Sequence, residues 1–253
     1  MKAPALYKTR KKTFITATVL AAILWIVVWQ TCAVIVDKPL FLPYPVSVFM
    51  TFGRLMSKSY FWHSVLSSVI NIIIGYVLGV LAGIVLAWVS YLNTGIEAVL
   101  ALPIKIIRAV PVASFIILAL LWLSSTYLSI LISFLMVLPI IYTNVLTGLK
   151  NASEQLLEMA HCYNMSLRNK ISYLYVPAAM PHLTSALSTG AGLAWKSGIA
   201  AEVIGITRNS IGNNLYQSKI YLETTELFAW TITVIIISLL FEKTISLIIK
   251  KLC

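Results

Sequence analysis

Long apolar runs separated by short polar stretches dominate the pattern of this chain. A helix rises about 1.5 Å per residue, so about 20 apolar residues cross a hydrocarbon core of about 30 Å. Runs of that length lie at roughly 13–36, 64–90, 98–123, 127–149, 179–206 and 226–249. The pattern predicts an all-α membrane protein with about six transmembrane helices in a single domain, residues 1–253.

The third run is the least regular of the six. Its first half carries Pro103, Lys105, Arg108 and Pro111. Charges and prolines at this density favour an amphipathic helix at the membrane surface. We expect the chain to enter the lipid only near Val112.

Composition supports a lipid-embedded protein. Hydrophobic residues make up 60% of the chain and charged residues only 11%, too few for the surface of a soluble globule of 253 residues. The net charge of +11 does not indicate nucleic acid, because the cations flank membrane segments instead of forming one basic face. They cluster at residues 2–12, 150–170 and 250–251, which six spans place on one side. The positive-inside rule makes that side the cytoplasm, with both termini.

Gly75, Gly79 and Gly83 recur every four residues along the second run. Such a stripe of small residues lets a neighbouring helix approach closely. The pattern leaves open whether that helix belongs to the same chain or to a second copy.

Residue patterns for chemistry are absent from the sequence. No glycine is followed by Lys, so there is no phosphate-binding loop, and neither HExxH nor GxSxG occurs. The histidines share no metal-ligand spacing with acids, and Cys32, Cys162 and Cys253 are predicted to be free thiols. We therefore expect a transporter with no catalytic, metal-binding or cofactor-binding residues, driven by partners or by an ion gradient.

One long cytoplasmic connection, about residues 150–178, carries an amphipathic helix. Its apolar stripe consists of Leu156, Ala160, Tyr163 and Leu167, at i, i+4, i+7 and i+11. A helix of this kind outside the membrane favours a groove in another protein. The alternative is a helix lying on the lipid surface, although its polar face has few Lys or Arg residues.

The same connection resembles the cytoplasmic EAA loop of binding-protein-dependent ABC importer permeases. That family has Glu-Ala-Ala, three residues, Gly, nine residues, then Ile-x-Leu-Pro. Here Glu158-Met159-Ala160, Asn164 and Leu174-Tyr175-Val176-Pro177 stand at matching spacings. Asn164 replaces the turn glycine, a mild change because Asn tolerates a left-handed backbone.

The resemblance covers nearly the whole chain and is strongest to the branch that includes nitrate, taurine and alkanesulfonate importers. Leu42-Pro43-Tyr44-Pro45 and Pro177-Ala178-Ala179-Met180-Pro181 are among the shorter matches. The resemblance implies a type I ABC importer permease fold, with the loop docked as a coupling helix on a separate ATPase. The implied coupling residues are Glu158, Met159, Ala160, Tyr163, Asn164 and Pro177.

The resemblance also implies the partners and the location. These are two cytoplasmic ATPase subunits that bind ATP and Mg, a second copy of the permease, an extracytoplasmic solute-binding protein and the lipid of a bacterial cell membrane. Nucleic acid is not among them. The implied solute is small, with nitrate, sulfonates, taurine and vitamin-precursor pyrimidines all open.

Two ionisable residues fall within the fifth run, Lys196 and Glu202. Charged groups inside a membrane are costly and commonly face an aqueous path, so both are candidates for the translocation pathway. Lys196 would favour an anionic solute, unless it snorkels or forms a structural pair. Glu202 is expected near the outer interface, about 120° around the helix from Lys196. A gradient-driven transporter or channel, the competing class, needs intramembrane acids, and Glu202 is the one candidate this reading identifies.

Overall fold

The computed structural model describes the backbone of residues 3–252 and the side chains of residues 17, 18 and 20–251. Within that range the chain forms α-helices and one π-helical turn, Ile171–Tyr175. The α-helices are α1 Ala3–Val36, α2 Pro45–Met56, α3 Ser59–Leu92, α4 Thr94–Ala109, α5 Val112–Ala119, α6 Ser125–Lys150, α7 Glu154–Cys162, α8 Leu167–Lys170, α9 Val176–Gly205, α10 Ile211–Ile220 and α11 Thr224–Leu252. The all-α prediction is confirmed.

Each of the six predicted spans coincides with a helix or a broken helix. In the described chain, α3, α6 and α11 are long and apolar enough to cross a membrane. The described apolar part of α1, Leu20–Val36, is shorter, and α9 has 30 residues but is less apolar. Crossing by α1 and α9 therefore stays a prediction.

The third span is broken into two helices, α4 and α5. The chain bends by 102° between α4 and α5. Together the two helices could form a fourth membrane crossing, but only as a broken span. Pro111 is the cause: it lacks a backbone donor, and it holds Val110 in an extended conformation, φ −78° and ψ 132°. The surface-helix expectation agrees with this break just before Val112.

The core forms where α3, α6 and α9 pack together. Gly75, Gly79 and Gly83 of α3 lie against α6; a Cβ on Gly79 would be 2.9 Å from the Cβ of Val137. The glycine stripe therefore serves intrachain packing, and the second-copy alternative is wrong for this face. Ser133 of α6 lies where the three helices meet, and its hydroxyl donates to the Ala194 carbonyl of α9 at 3.1 Å.

Candidate functional site

The predicted coupling segment leaves the helix bundle between α6 and α9. Its α7 spans Glu154–Cys162, and Glu158 and Met159 are exposed on it. Tyr163, which ends the helix, is 80% exposed, while Ala160 is 1% exposed. The segment thus presents a charge and large apolar side chains outward, with a small residue beneath them.

The turn after α7 closes on Asn164, which adopts the left-handed conformation at φ 48°. The Met165 amide donates to the Ala160 carbonyl at 2.9 Å and the Asn164 amide to the His161 carbonyl at 3.0 Å. These two bonds form a Schellman motif, which satisfies carbonyls at the helix end. The predicted left-handed turn is confirmed.

The predicted apolar stripe does not continue along one helix. It ends with α7 because the turn at Asn164 redirects the chain, and Leu167 begins the separate helix α8. Leu156 and Tyr163 remain exposed on α7 and at its end, and Leu167 is separately exposed on α8.

Contacts between the end of α6 and the start of α9 hold the two ends of the coupling segment close together. A Cβ on Gly148 of α6 would be 2.8 Å from the Cα of Ala179 in α9, so the two backbones touch. Asn151 Nδ2 lies 3.4 Å from His182 Nε2, which adds a polar contact. Pro177, the second residue of α9, is exposed near these contacts. A displacement of α7 would therefore act on α6 and α9 together.

Lys196 and Glu202 occupy different faces of α9, as their spacing predicts. Lys196 is exposed, and it lines a cleft of about 340 Å³ between α9 and α11. Glu202 is completely buried. The structure does not bring the two together as a pair.

The Glu202 carboxylate joins α9 to α3 and α10. Its Oε2 accepts from the Ser68 hydroxyl at 2.7 Å and from the Gly212 amide at 3.2 Å. Ser68 Oγ in turn accepts from the Ile211 amide at 2.9 Å. The position of Glu202 near the outer interface stays a prediction, three residues before the end of α9 at Gly205. Its side chain turns inward, where the first amides of α10 favour a negative charge.

Glu242, which is not among the predicted site residues, lies in the cleft beside Lys196. It stands within the last predicted span, where an acid is as informative as Glu202. Reading the acids of every predicted span would have found it. Its proximity to α9, however, depends on the packing of α11.

The fold and these surfaces define a multi-pass membrane protein of the transporter class. The chain belongs to the family of binding-protein-dependent transport system inner membrane components, whose model matches residues 75–252. It is therefore a permease subunit of an ABC importer and not an enzyme. Among the described residues, no group of three or more His, Cys, Asp or Glu side chains could hold a metal ion.

Relatives in the same family have named transport functions. A putative aliphatic sulfonates transport permease protein from Bacillus subtilis (strain 168) is 24% identical over 230 residues, which are 90% of this chain and 83% of the relative. The taurine transport system permease protein of Escherichia coli (strain K12) is 24% identical over 227 residues, 87% of this chain and 82% of the relative. A formylaminopyrimidine transport permease protein from Halalkalibacterium halodurans is 24% identical and covers 71% of this chain and 72% of its own length.

A solved structure shares the fold. A chain in the crystal structure of an amino acid ABC transporter with histidines has a TM-score of 0.61 and 18% sequence identity to this chain. The match covers 79% of this chain and 97% of the solved one. At this identity the likeness establishes the architecture alone.

Proposed function

We propose that this permease imports a small sulfonate-like solute and that α7 is the contact through which separate ATPase subunits drive it. The observation that carries this proposal is the exposed surface of α7. The segment that contains it is fixed at both ends by the contacts between α6 and α9. Glu158 would pair with a cation or a backbone amide of the ATPase. Met159 and Tyr163 would enter an apolar cleft, Ala160 would allow close approach, and Asn164 would make the turn.

The proposed assembly contains two copies of this permease, two cytoplasmic ATPase subunits and an extracytoplasmic solute-binding protein. ATP and Mg bind to the ATPases. Residues 1–253 form one permease domain in a bacterial cell membrane, with both termini and the loop at about 150–178 in the cytoplasm. The cation clusters beside the loop and near both ends of the chain support this orientation.

The proposed pathway follows the exposed face of α9. Lys196 supplies a positive charge there, which suits the anionic group of a sulfonate. The sulfonate and taurine permeases among the relatives support this solute class. Because Glu202 is buried, its proposed contribution to the pathway is indirect, through the position of α10.

Co-purification tests the coupling contact. The tagged chain is extracted from its native membrane in mild detergent, and its partners are identified by mass spectrometry, for the native sequence and for Glu158→Lys. Glu223→Lys is the matched control, because it makes the same charge change at an exposed residue between α10 and α11, away from α7. We expect an ATPase with the native chain and the control, and roughly tenfold less with Glu158→Lys.

Two results would contradict the proposal. Equal recovery of the ATPase with both variants would remove α7 from the contact. A native chain that carries no ATPase in several gentle detergents would argue against ATP-driven coupling, and transport would then be tested for dependence on an ion gradient.

A further inference from the structure

A polar cleft lies between α9 and α11, away from the ends of both helices. Its volume is about 340 Å³, and its lining residues are Ser188, Thr189, Gly192, Leu193, Lys196 and Glu242. Lys196 stands nine residues before the end of α9 at Gly205, and Glu242 ten residues before the end of α11 at Leu252. With α9 crossing the membrane as predicted, the cleft places a cation and an anion at membrane depth, where ionisable groups usually have a functional reason.

Glu242 reaches across from α11 onto the backbone of α9. A Cβ on Gly192 would be 2.8 Å from Glu242 Oε1, so the carboxylate lies directly against α9 at this glycine. Lys196 follows one helical turn later on the same face of α9. The contact of Glu242 with α9 at Gly192 thus brings the two charges into one cleft.

The two charges share the cleft without forming an ion pair. Their nitrogen and oxygen atoms are farther apart than 4.0 Å, and among the described residues neither side chain makes a hydrogen bond. The Ser188 hydroxyl also has no hydrogen-bond partner among the described residues. The Thr189 hydroxyl donates to the Ser185 carbonyl, which leaves its oxygen free to accept. The cleft therefore offers a cation, an anion, a donor and an acceptor, all available to a ligand.

We propose that this cleft binds a small zwitterion, with its acidic group at Lys196 and its ammonium group at Glu242. This inference rests on the proposed function, in which the exposed face of α9 lines the pathway. Glu242 would repel a simple anion, and Lys196 would repel a simple cation. A ligand that carries both charges satisfies both groups. The membrane subunit therefore selects zwitterions over simple ions, independently of the solute-binding protein.

Binding to the purified permease, with any co-purified ATPase, tests this inference. Radiolabelled taurine serves as the zwitterionic probe for the full chain in lipid nanodiscs, and glycine, ethanesulfonate and ethylamine serve as unlabelled competitors. We expect taurine to bind, and to be displaced by glycine far better than by either singly charged compound. Lys196→Gln and Glu242→Gln should each weaken taurine binding roughly 10- to 100-fold, since each removes a charged partner. Lys219→Gln, an exposed change on α10, should leave it unchanged.

The variants also distinguish the zwitterion from the simple ions. Glu242→Gln should increase competition by ethanesulfonate, and Lys196→Gln should increase competition by ethylamine, because each change removes the repelling charge. Absence of binding by both zwitterions would overturn the proposal, as would equal competition by ethanesulfonate and glycine. Single variants that lower the melting temperature while the double variant restores it, without taurine binding, would show a structural charge pair instead. Recovery of the ATPase with the native chain in those cases would leave the proposed coupling intact.

Discussion

The packing of α3 against α6 predicts how the chain responds to one added methyl group. In Gly79→Ala the new Cβ would be 2.9 Å from the Cβ of Val137 and 3.0 Å from the Phe134 carbonyl oxygen. Carbon atoms attract best at about 3.5–4.0 Å, so the two helices have to separate by more than half an ångström. Neither neighbour is the flexible end of a side chain, and both are fixed to the backbone of α6.

Gly53→Ala isolates this effect, because a Cβ on Gly53 of α2 would meet no atom within 4 Å. Replacing Gly by Ala inside a helix stabilises it by about 1 kcal/mol, and this gain is common to both variants. Overpacking lowers the free energy of unfolding by about 1–3 kcal/mol, and it applies to Gly79→Ala alone. The difference between the two variants is therefore the packing contribution.

Melting temperatures in a single detergent measure that difference. Because 1 kcal/mol corresponds to about 2–4 °C for chains of 150–250 residues, Gly79→Ala should melt roughly 2–12 °C below Gly53→Ala. Monodisperse elution of both variants before heating is the control for misfolding. Equal melting temperatures would refute the close contact between α3 and α6 and reopen the interpretation of the stripe as a contact with a second copy.

Two further predictions concern the buried hydroxyl and the orientation. Ser68→Ala removes the acceptor of the buried Ile211 amide and should lower the free energy of unfolding by about 1–3 kcal/mol. Ser68→Thr keeps the hydroxyl and should restore part of the lost stability. Equal losses in the two variants would contradict the hydrogen-bond account. Cys162 is an exposed free thiol on α7, so with Cys32→Ser and Cys253→Ser in place a membrane-impermeant maleimide should label inside-out vesicles and not right-side-out ones. The reverse labelling would overturn the proposed orientation.

Local signals predicted much of the coupling segment. The spacing from Glu158 to Asn164 indicated a short helix and a left-handed turn, and the structure has both. These features depend on neighbouring residues, because a helix end is capped within a few positions of the chain. The same reading extended the stripe to Leu167 across the turn, since periodicity carries no information on where a chain changes direction. Cys162 and Cys32 are free thiols as predicted, and Cys253 lies outside the described residues.

The cleft could be predicted only in part. A charge inside an apolar run stands out, so the sequence predicts Lys196 as a site residue, and the same argument applies to Glu242. That Glu242 lies on Gly192 follows from the packing of α11 against α9, which no local pattern encodes.

Hydropathy and motif spacing are properties of short stretches of chain, so they were enough to predict the lipid solvent, the helical class and the family of this protein. The helix that receives the glycine stripe and the groups that meet Glu202 depend on how the helices pack. Ser68 is 134 residues away along the chain and yet donates to its carboxylate. Such contacts form when helices of complementary shape pack together. The local sequence around each residue is compatible with several helix arrangements, so it does not specify which residues meet.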